Sequence, residues 1–226
     1  MSERHIPGVA VLASGSGSTL EAFIHAAEAG IVDAEIGLVI SNNSNVGVFD
    51  RIRRLNKQYG LNIETLHISG KTHPGSAAEI GAQTLPEAEA IHAAIAKENF
   101  VLIALMGYMK KIAGTLLDAY GWKPDMDVFA AQMFNTHPGP LPQTRGLFGI
   151  NVQKAVLETG MDHSAHTVHA VGEGYDTGPI VVEHQVPVLP NDTPESLFEA
   201  VQLTEKSHLP VDIRDILDGK KLYGDS

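Results

Sequence analysis

Cysteine is absent from the 226-residue chain, which excludes disulfides, a thiolate nucleophile and a cysteine-ligated zinc site. Long apolar runs are absent too, since nothing approaches the roughly 20 residues that a membrane helix needs. Residues 1–7 carry Arg4 and His5 but no apolar core behind a basic flank, so a secretory signal is not expected there. Positive charge is scarce: 16 Lys and Arg stand against 27 Asp and Glu, a formal net charge of −11. Nucleic-acid binding draws affinity from cations that neutralise phosphates, so neither nucleic acid nor membrane is expected as a partner. A cytoplasmic protein fits these absences. Small anionic ligands stay open, because a helix start can hold a phosphate with backbone N–H groups alone.

What is present is ordinary for a chain with a sizeable core: 43% hydrophobic and 19% charged residues. There is no internal repeat and no low-complexity run. Apolar runs at 9–13, 36–40, 63–68 and 100–106 read as strands, and the last is continuous, as in a parallel strand buried on both faces. Helices are predicted between them at 20–29, ended by Gly30, at 46–59, stopped by Gly60, and at 87–98. Residues 69–86 read as a loop with partial helix at most. Beyond 106 we predict a helix at 112–119, a strand at 132–135 and a Pro/Gly-rich loop at 137–149. A helix at 150–159, strands at 165–171 and 179–188, a helix capped by Thr193 as far as 207, and a shorter helix at 211–217 complete the chain. The alternation predicts an α/β fold: a Rossmann-like, doubly wound, mostly parallel sheet with helices on both faces and a mixed C-terminal part. One domain over 1–226 is expected, with an N-terminal half to about residue 105 and a second half from about 106.

Three motifs fall at strand ends, where such sheets bind ligands. Ser14-Gly15-Ser16-Gly17-Ser18-Thr19 joins the first strand to the first helix. It is either a phosphate cradle built on the N–H groups of Gly17, Ser18 and Thr19, or a tight turn with no ligand. It is neither a dinucleotide fingerprint, which would need glycine at Leu20, nor a Walker loop. In Asn135-Thr136-His137-Pro138, the first and third side chains project together from an extended segment. An amide donor beside an imidazole suits an oxyanion and a mobile proton. The alternative is a proline-stiffened surface turn. In Gly172-Glu173-Gly174-Tyr175-Asp176-Thr177-Gly178-Pro179 the carboxylate of Asp176 either orients an imidazole or water, or caps its own turn.

Taken together and in this order, these segments resemble the 10-formyltetrahydrofolate-dependent formyltransferase family, over about 9–217. Ser41-Asn42 at the end of the second strand, Met106-Gly107-Tyr108-Met109-Lys110, Leu141-Pro142, and Tyr175-Asp176-Thr177-Gly178-Pro179-Ile180 add to the match. The resemblance is greatest to the branch whose acceptor is glycinamide ribonucleotide. It implies formyl transfer in purine biosynthesis, with Asn135, His137 and Asp176 catalytic. The cationic form of His137 and Asn135 would stabilise the oxyanion, and Asp176 would support that cation. The acceptor phosphate would sit on Gly17, Ser18 and Thr19, with the rest of the acceptor on Gln202 and Glu205. The cosubstrate, 10-formyltetrahydrofolate, would lie along Met109, Lys110, Lys111 and Ile112, near Asn135, Gly174 and Tyr175. The first half would thus bind phosphate and the second folate. No metal is implied, and the only protein partner admitted is a second copy of the chain in a homodimer.

Departures from the family pattern are Gly139-Pro140 for the usual Ser-Leu, Phe148 for a frequent histidine, Lys110 for the usual arginine, and the longer 69–86 stretch. Competing expectations are a formyltransferase for another phosphorylated amine, a formyltetrahydrofolate hydrolase, and a non-catalytic phosphate-binding module. Relatives acting on methionyl-tRNA carry an extra C-terminal domain and basic surfaces, whereas this acidic chain stops at Ser226. Hydrolase relatives have an N-terminal regulatory domain, whereas the first strand here begins at about Val9.

Overall fold

The strand that begins at Gly8 shows how the layers arise. In β1 (Gly8–Leu12), successive side chains point to opposite faces. Val9 and Val11 join one apolar cluster and Ala10 and Leu12 another. Both faces are apolar, so both must be covered. The structure, a computed structural model, describes residues 6–77 and 79–219. The start weighed above as a signal, up to His5, lies outside the described residues, as do Ala78 and the last seven of the 226.

Seven strands form one sheet in the order β3-β2-β1-β4-β5-β6-β7. They are β2 (Glu35–Ser41), β3 (Glu64–His67), β4 (Phe100–Leu105), β5 (Met133–His137), β6 (His163–Ala170) and β7 (Ile180–Pro187). The first five are parallel, and β6 and β7 run antiparallel to their neighbours. This is the doubly wound, mostly parallel sheet with a mixed end that the alternation predicts. One face packs on α1 (Ser18–Glu28), α2 (Gly47–Tyr59) and the C-terminal part of α6 (Pro194–Leu217). The other packs on α3 (Leu85–Ile95) and α4 (Gly114–Tyr120). Between them, α5 (Ile150–Glu158), α6 and β7 enclose a smaller cluster around Val156, Val186, Leu197 and Val201. Strand order reverses between β1 and β4, which leaves a crevice at their carboxyl ends.

One expectation is corrected. The predicted break after residue 207 does not occur: α6 is continuous for 24 residues with Pro210 inside it. An internal proline costs roughly 3 kcal/mol. Here Leu209, Ile213 and Ile216 pack on the core, and Asp212 accepts from His184 Nε2 at 2.9 Å, so the second half of the helix is anchored to the sheet. Residues 69–84 form the expected loop, with no helix among the described residues; α3 starts at Leu85, where Thr84 and Glu87 cap each other. The loop is stitched to the segment after β4. Gln83 N donates to Lys111 O at 3.0 Å, Lys111 N donates to Gly81 O at 3.1 Å, and Gln83 Nε2 reaches the Tyr108 hydroxyl at 3.1 Å.

Among the described residues, no helix is long and apolar enough to cross a membrane. Leu12 is fully buried between α3 and the sheet. Leu12→Ala should lower unfolding free energy by roughly 2–5 kcal/mol, whereas Leu203→Ala, at a residue 67% exposed on α6, should change it by less than about 0.5 kcal/mol. Urea unfolding of both variants checks the contrast.

Candidate active site

Ser14 ties three strand ends together. Its hydroxyl donates to Asn42 Oδ1 at 2.5 Å and accepts from Met109 N–H at 2.8 Å, while its own N–H donates to Gly107 O at 3.1 Å. Gly17 follows in the left-handed region, φ 73°, as the N-cap of α1. A Cβ there would fall 2.7 Å from Val48 Cγ2, so glycine is required by space as well as by backbone angle. No side chain caps α1, and its first N–H groups open toward the crevice. Arg51 Nε holds Ser16 O at 2.8 Å and its guanidinium pairs with Glu21 in the first turn.

Asn135 and His137 project to the same face of β5, opposite His169 and Thr167 of β6. The Asn135 amide donates to Asp176 Oδ1 at 3.3 Å and meets His169 Nε2 at 3.0 Å. His137 Nδ1 lies 3.5 Å from Asp176 Oδ2, and His137 Nε2 meets the Thr144 hydroxyl at 2.9 Å. Asp176 has φ 50°, rare for a residue with a side chain. Two residues on, Gly178 lies against Ala170 O, where a Cβ would come within 1.8 Å. Arg145 Nε also grips Asp176 O at 2.9 Å, and Gly146 N–H donates to Asp176 Oδ2 at 2.9 Å.

Burial pushes the His137 imidazole down to about 4, against the upward pull of Asp176, with His169 and His166 adding to the depression. At neutral pH the resting imidazole is therefore uncharged, and the cation implied by the resemblance requires an added negative charge nearby. Burial pushes the Asp176 carboxyl up, but the bond to His169, the charge of His137 and the Gly146 N–H outweigh it and hold it below the usual carboxylate value.

The structure brings the predicted residues together. A cavity of about 270 Å³ at the β1–β4 crevice is lined by Gly17, Ser18, Thr19, Met109, Asn135, His137, Tyr175, Asp176, Gln202 and Glu205. An adjoining space of about 50 Å³ is lined by Lys110, Lys111, Ile112, Gly174 and, again, Asn135, Tyr175 and Asp176. Lys110 and Lys111 are not a solvated cationic pair: Lys110 Nζ pairs with buried Glu87, and Lys111 Nζ with Glu79. Phe148, 57% exposed, lies in the larger cavity's wall. Sequence reasoning missed His169, Arg145, Gly146 and Thr144. The signal for His169 is the antiparallel register of β5 and β6, which places it opposite Asn135. For the other three, only the folded path of the 137–149 loop over Asp176 reveals the contact.

The formyl transferase family is matched over residues 8–213. A trifunctional purine biosynthetic protein of Chironomus tentans is 33% identical over 214 residues, 93% of this chain and 14% of that protein. The chloroplastic phosphoribosylglycinamide formyltransferase of Arabidopsis thaliana is 31% identical over 207 residues, 91% of this chain and 63% of that one. The chain thus spans less than two thirds of the length of both relatives. Glycinamide ribonucleotide transformylase 1 of Symbiobacterium toebii has a similar structure, with a TM-score of 0.79 and 29% identity over 96% of this chain and 90% of that one.

The depressed His137 makes folding sensitive to acid. The unfolded imidazole takes up its proton near 6.5 and the folded one only near 4, so stability is full above about pH 6.5 and is lost as pH falls toward 4. The share of this one group is on the order of 3 kcal/mol at pH 4. The lowered Asp176 adds its loss only below its ordinary value of 3.8, outside this window. In urea unfolding at about pH 7 and pH 4.5, His137→Gln should show a smaller difference between the two conditions than the parent.

Proposed function

We infer that this chain, which belongs to the formyl transferase family, moves a formyl group from 10-formyltetrahydrofolate to the amine of glycinamide ribonucleotide, a step of purine biosynthesis. The observation that carries this reading is convergence: Asn135, His137 and Asp176, from two separate segments, border one cavity with the uncapped start of α1.

The acceptor phosphate is held by the N–H groups at Gly17, Ser18 and Thr19, where the helix dipole favours an anion. Gln202 and Glu205, three apart on α6, share a face toward the cavity and take the acceptor's polar body. The donor lies in the smaller space. The backbone N–H and C=O of Lys111 are already bonded to Gly81 and Gln83. The groups of Lys110 and Ile112, on either side of this isolated bridge, take the hydrogen-bonding edge of a pteridine. With both ammonium groups neutralised by Glu87 and Glu79, donor recognition falls to this backbone edge and the apolar walls.

The donor supplies an already activated formyl carbon, so the site has to align it and stabilise charge. As the amine attacks, the carbonyl electrons move onto oxygen. Asn135 turns toward this oxyanion the N–H that it now gives to Asp176, the longer of its two contacts at 3.3 Å. The growing negative charge raises the proton affinity of the imidazole, which receives the proton that the amine sheds. Asp176, held ionised by its donors, stabilises that cation. The carbon–nitrogen bond to the folate then breaks, and the folate nitrogen takes up the proton.

Absorbance reports the loss of formyl from the donor. Loss that depends on glycinamide ribonucleotide is expected; loss without any acceptor would assign a hydrolase instead, and no loss would remove the catalytic reading. His137→Ala should lower kcat by roughly 10²–10⁴-fold, with little change in the KM of the acceptor. Gly17→Ala should do the reverse, raising acceptor KM by about tenfold or more while kcat at saturation stays within a few-fold. An unchanged KM would place the phosphate elsewhere.

A further inference from the structure

The far side of the His137 ring carries information that the reaction scheme does not use. Thr144 is buried at 1% exposure, and its hydroxyl lies between two partners: Pro140 O at 2.7 Å and His137 Nε2 at 2.9 Å. A hydroxyl has one proton to give. A carbonyl oxygen only accepts, so the threonine proton goes to Pro140. The contact with His137 must then run the other way, with Nε2–H donating to Thr144 Oγ1.

The turn that fixes Thr144 is held at every corner. Thr144 N–H donates to Pro140 O at 3.1 Å, Thr167 Oγ1 to Gly139 O at 2.8 Å, and Gln153 Nε2 to Pro138 O at 2.6 Å. A Cβ on Gly139 would fall 2.6 Å from Thr144 Oγ1 and 2.3 Å from Val152 Cγ1. Glycine at 139 is what leaves room for the threonine hydroxyl beneath the imidazole. This accounts for glycine at 139 by geometry.

We propose that Thr144 is a positioning residue for this site: its hydroxyl keeps a proton on His137 Nε2 and thereby assigns Nδ1, the nitrogen facing Asp176, as the atom that takes up and returns the proton during transfer. The neutral ring then presents a lone pair toward Asp176 Oδ2 across 3.5 Å. When the amine proton arrives, that lone pair forms the new N–H bond and the ring becomes a cation. Nε2–H stays on Thr144 throughout, and the Nδ1 proton leaves again to the folate nitrogen. No electron changes hands beyond these bonds. The proposal deepens the formyl-transfer reading and depends on it for the identity of donor and acceptor, but the tautomer itself does not.

The test is long-range proton–nitrogen correlation NMR on the full chain labelled with ¹⁵N-histidine, at about pH 7.5, with the His137 signals assigned by their loss in His137→Gln. The parent should show His137 as the Nε2–H tautomer. In Thr144→Val the buried Nε2–H would have no acceptor, so the proton should move to Nδ1 and pair with Asp176, while Thr144→Ser should keep the parental pattern. In turnover, Thr144→Val should lower kcat roughly 10- to 100-fold, part of what a placed acid–base group contributes. KM for both substrates should stay within about threefold, and Thr144→Ser should recover most of the rate. A parental Nδ1–H tautomer, or a Thr144→Val protein with both nitrogen pattern and kcat unchanged, overturns the proposal. Should Thr144→Val fail to fold, the parental and Thr144→Ser spectra still decide the tautomer. A protein with the expected spectra but no formyl transfer would defeat the functional reading and leave the tautomer standing.

Discussion

A carboxylate whose side chain is only 11% exposed must find partners inside the protein, and Asp176 finds them on three elements. Asn135 donates from β5, Gly146 donates from the loop that precedes α5, and the His169 ring approaches at 3.3 Å from β6. Each is held in turn by something else: the two strands by their ladder, the loop by Arg145 on the backbone of residue 176 itself. The left-handed φ of Asp176 costs energy that the surrounding contacts repay. Removing this one charge would leave an amide, a histidine and a loop without the reason for their present positions.

Around that node the fold does what parallel sheets do. Strands apolar on both faces force helices onto both sides, which sends all the connections after β1, β2 and β4 to the same end of the sheet. The reversal between β1 and β4 keeps two of those connections apart, and the cavity lies in the gap. The antiparallel end has a different task. Only because β6 runs against β5 does His169 come opposite Asn135 and Thr167 opposite His137. A parallel strand there would have needed a different spacing to close the same polar cluster.

How much of this the sequence disclosed depends on the range of the interaction involved. The runs at 9–13 and 100–106, the glycine stops at Gly30 and Gly60 and the Thr193 cap are local signals, and the elements formed where local rules put them. Pro210 misled because its cost is local but its compensation, the packing of Leu209, Ile213 and Ile216, is not. The 14–19 turn, Asn135, His137 and Asp176 were legible through motifs, and the resemblance supplied Met109 to Ile112 as well as Gln202 and Glu205, which spacing alone would leave as a helix face. What stayed hidden were partners set by register and by loop path. The pairing of Lys110 and Lys111 stayed hidden for the same reason, since Glu87 and Glu79 are remote in sequence.

The stitching of residues 81–83 onto Lys111 has a consequence for how variation in this region is tolerated. Surface insertions normally drift freely, since solvent satisfies whatever backbone they expose. Here residues 81–83 satisfy backbone that belongs to a cavity wall, and Gly81 lies close enough to Tyr175 that a Cβ would come within 2.8 Å of its hydroxyl. A change of length or composition between residues 69 and 84 would thereby be felt at the cavity wall itself.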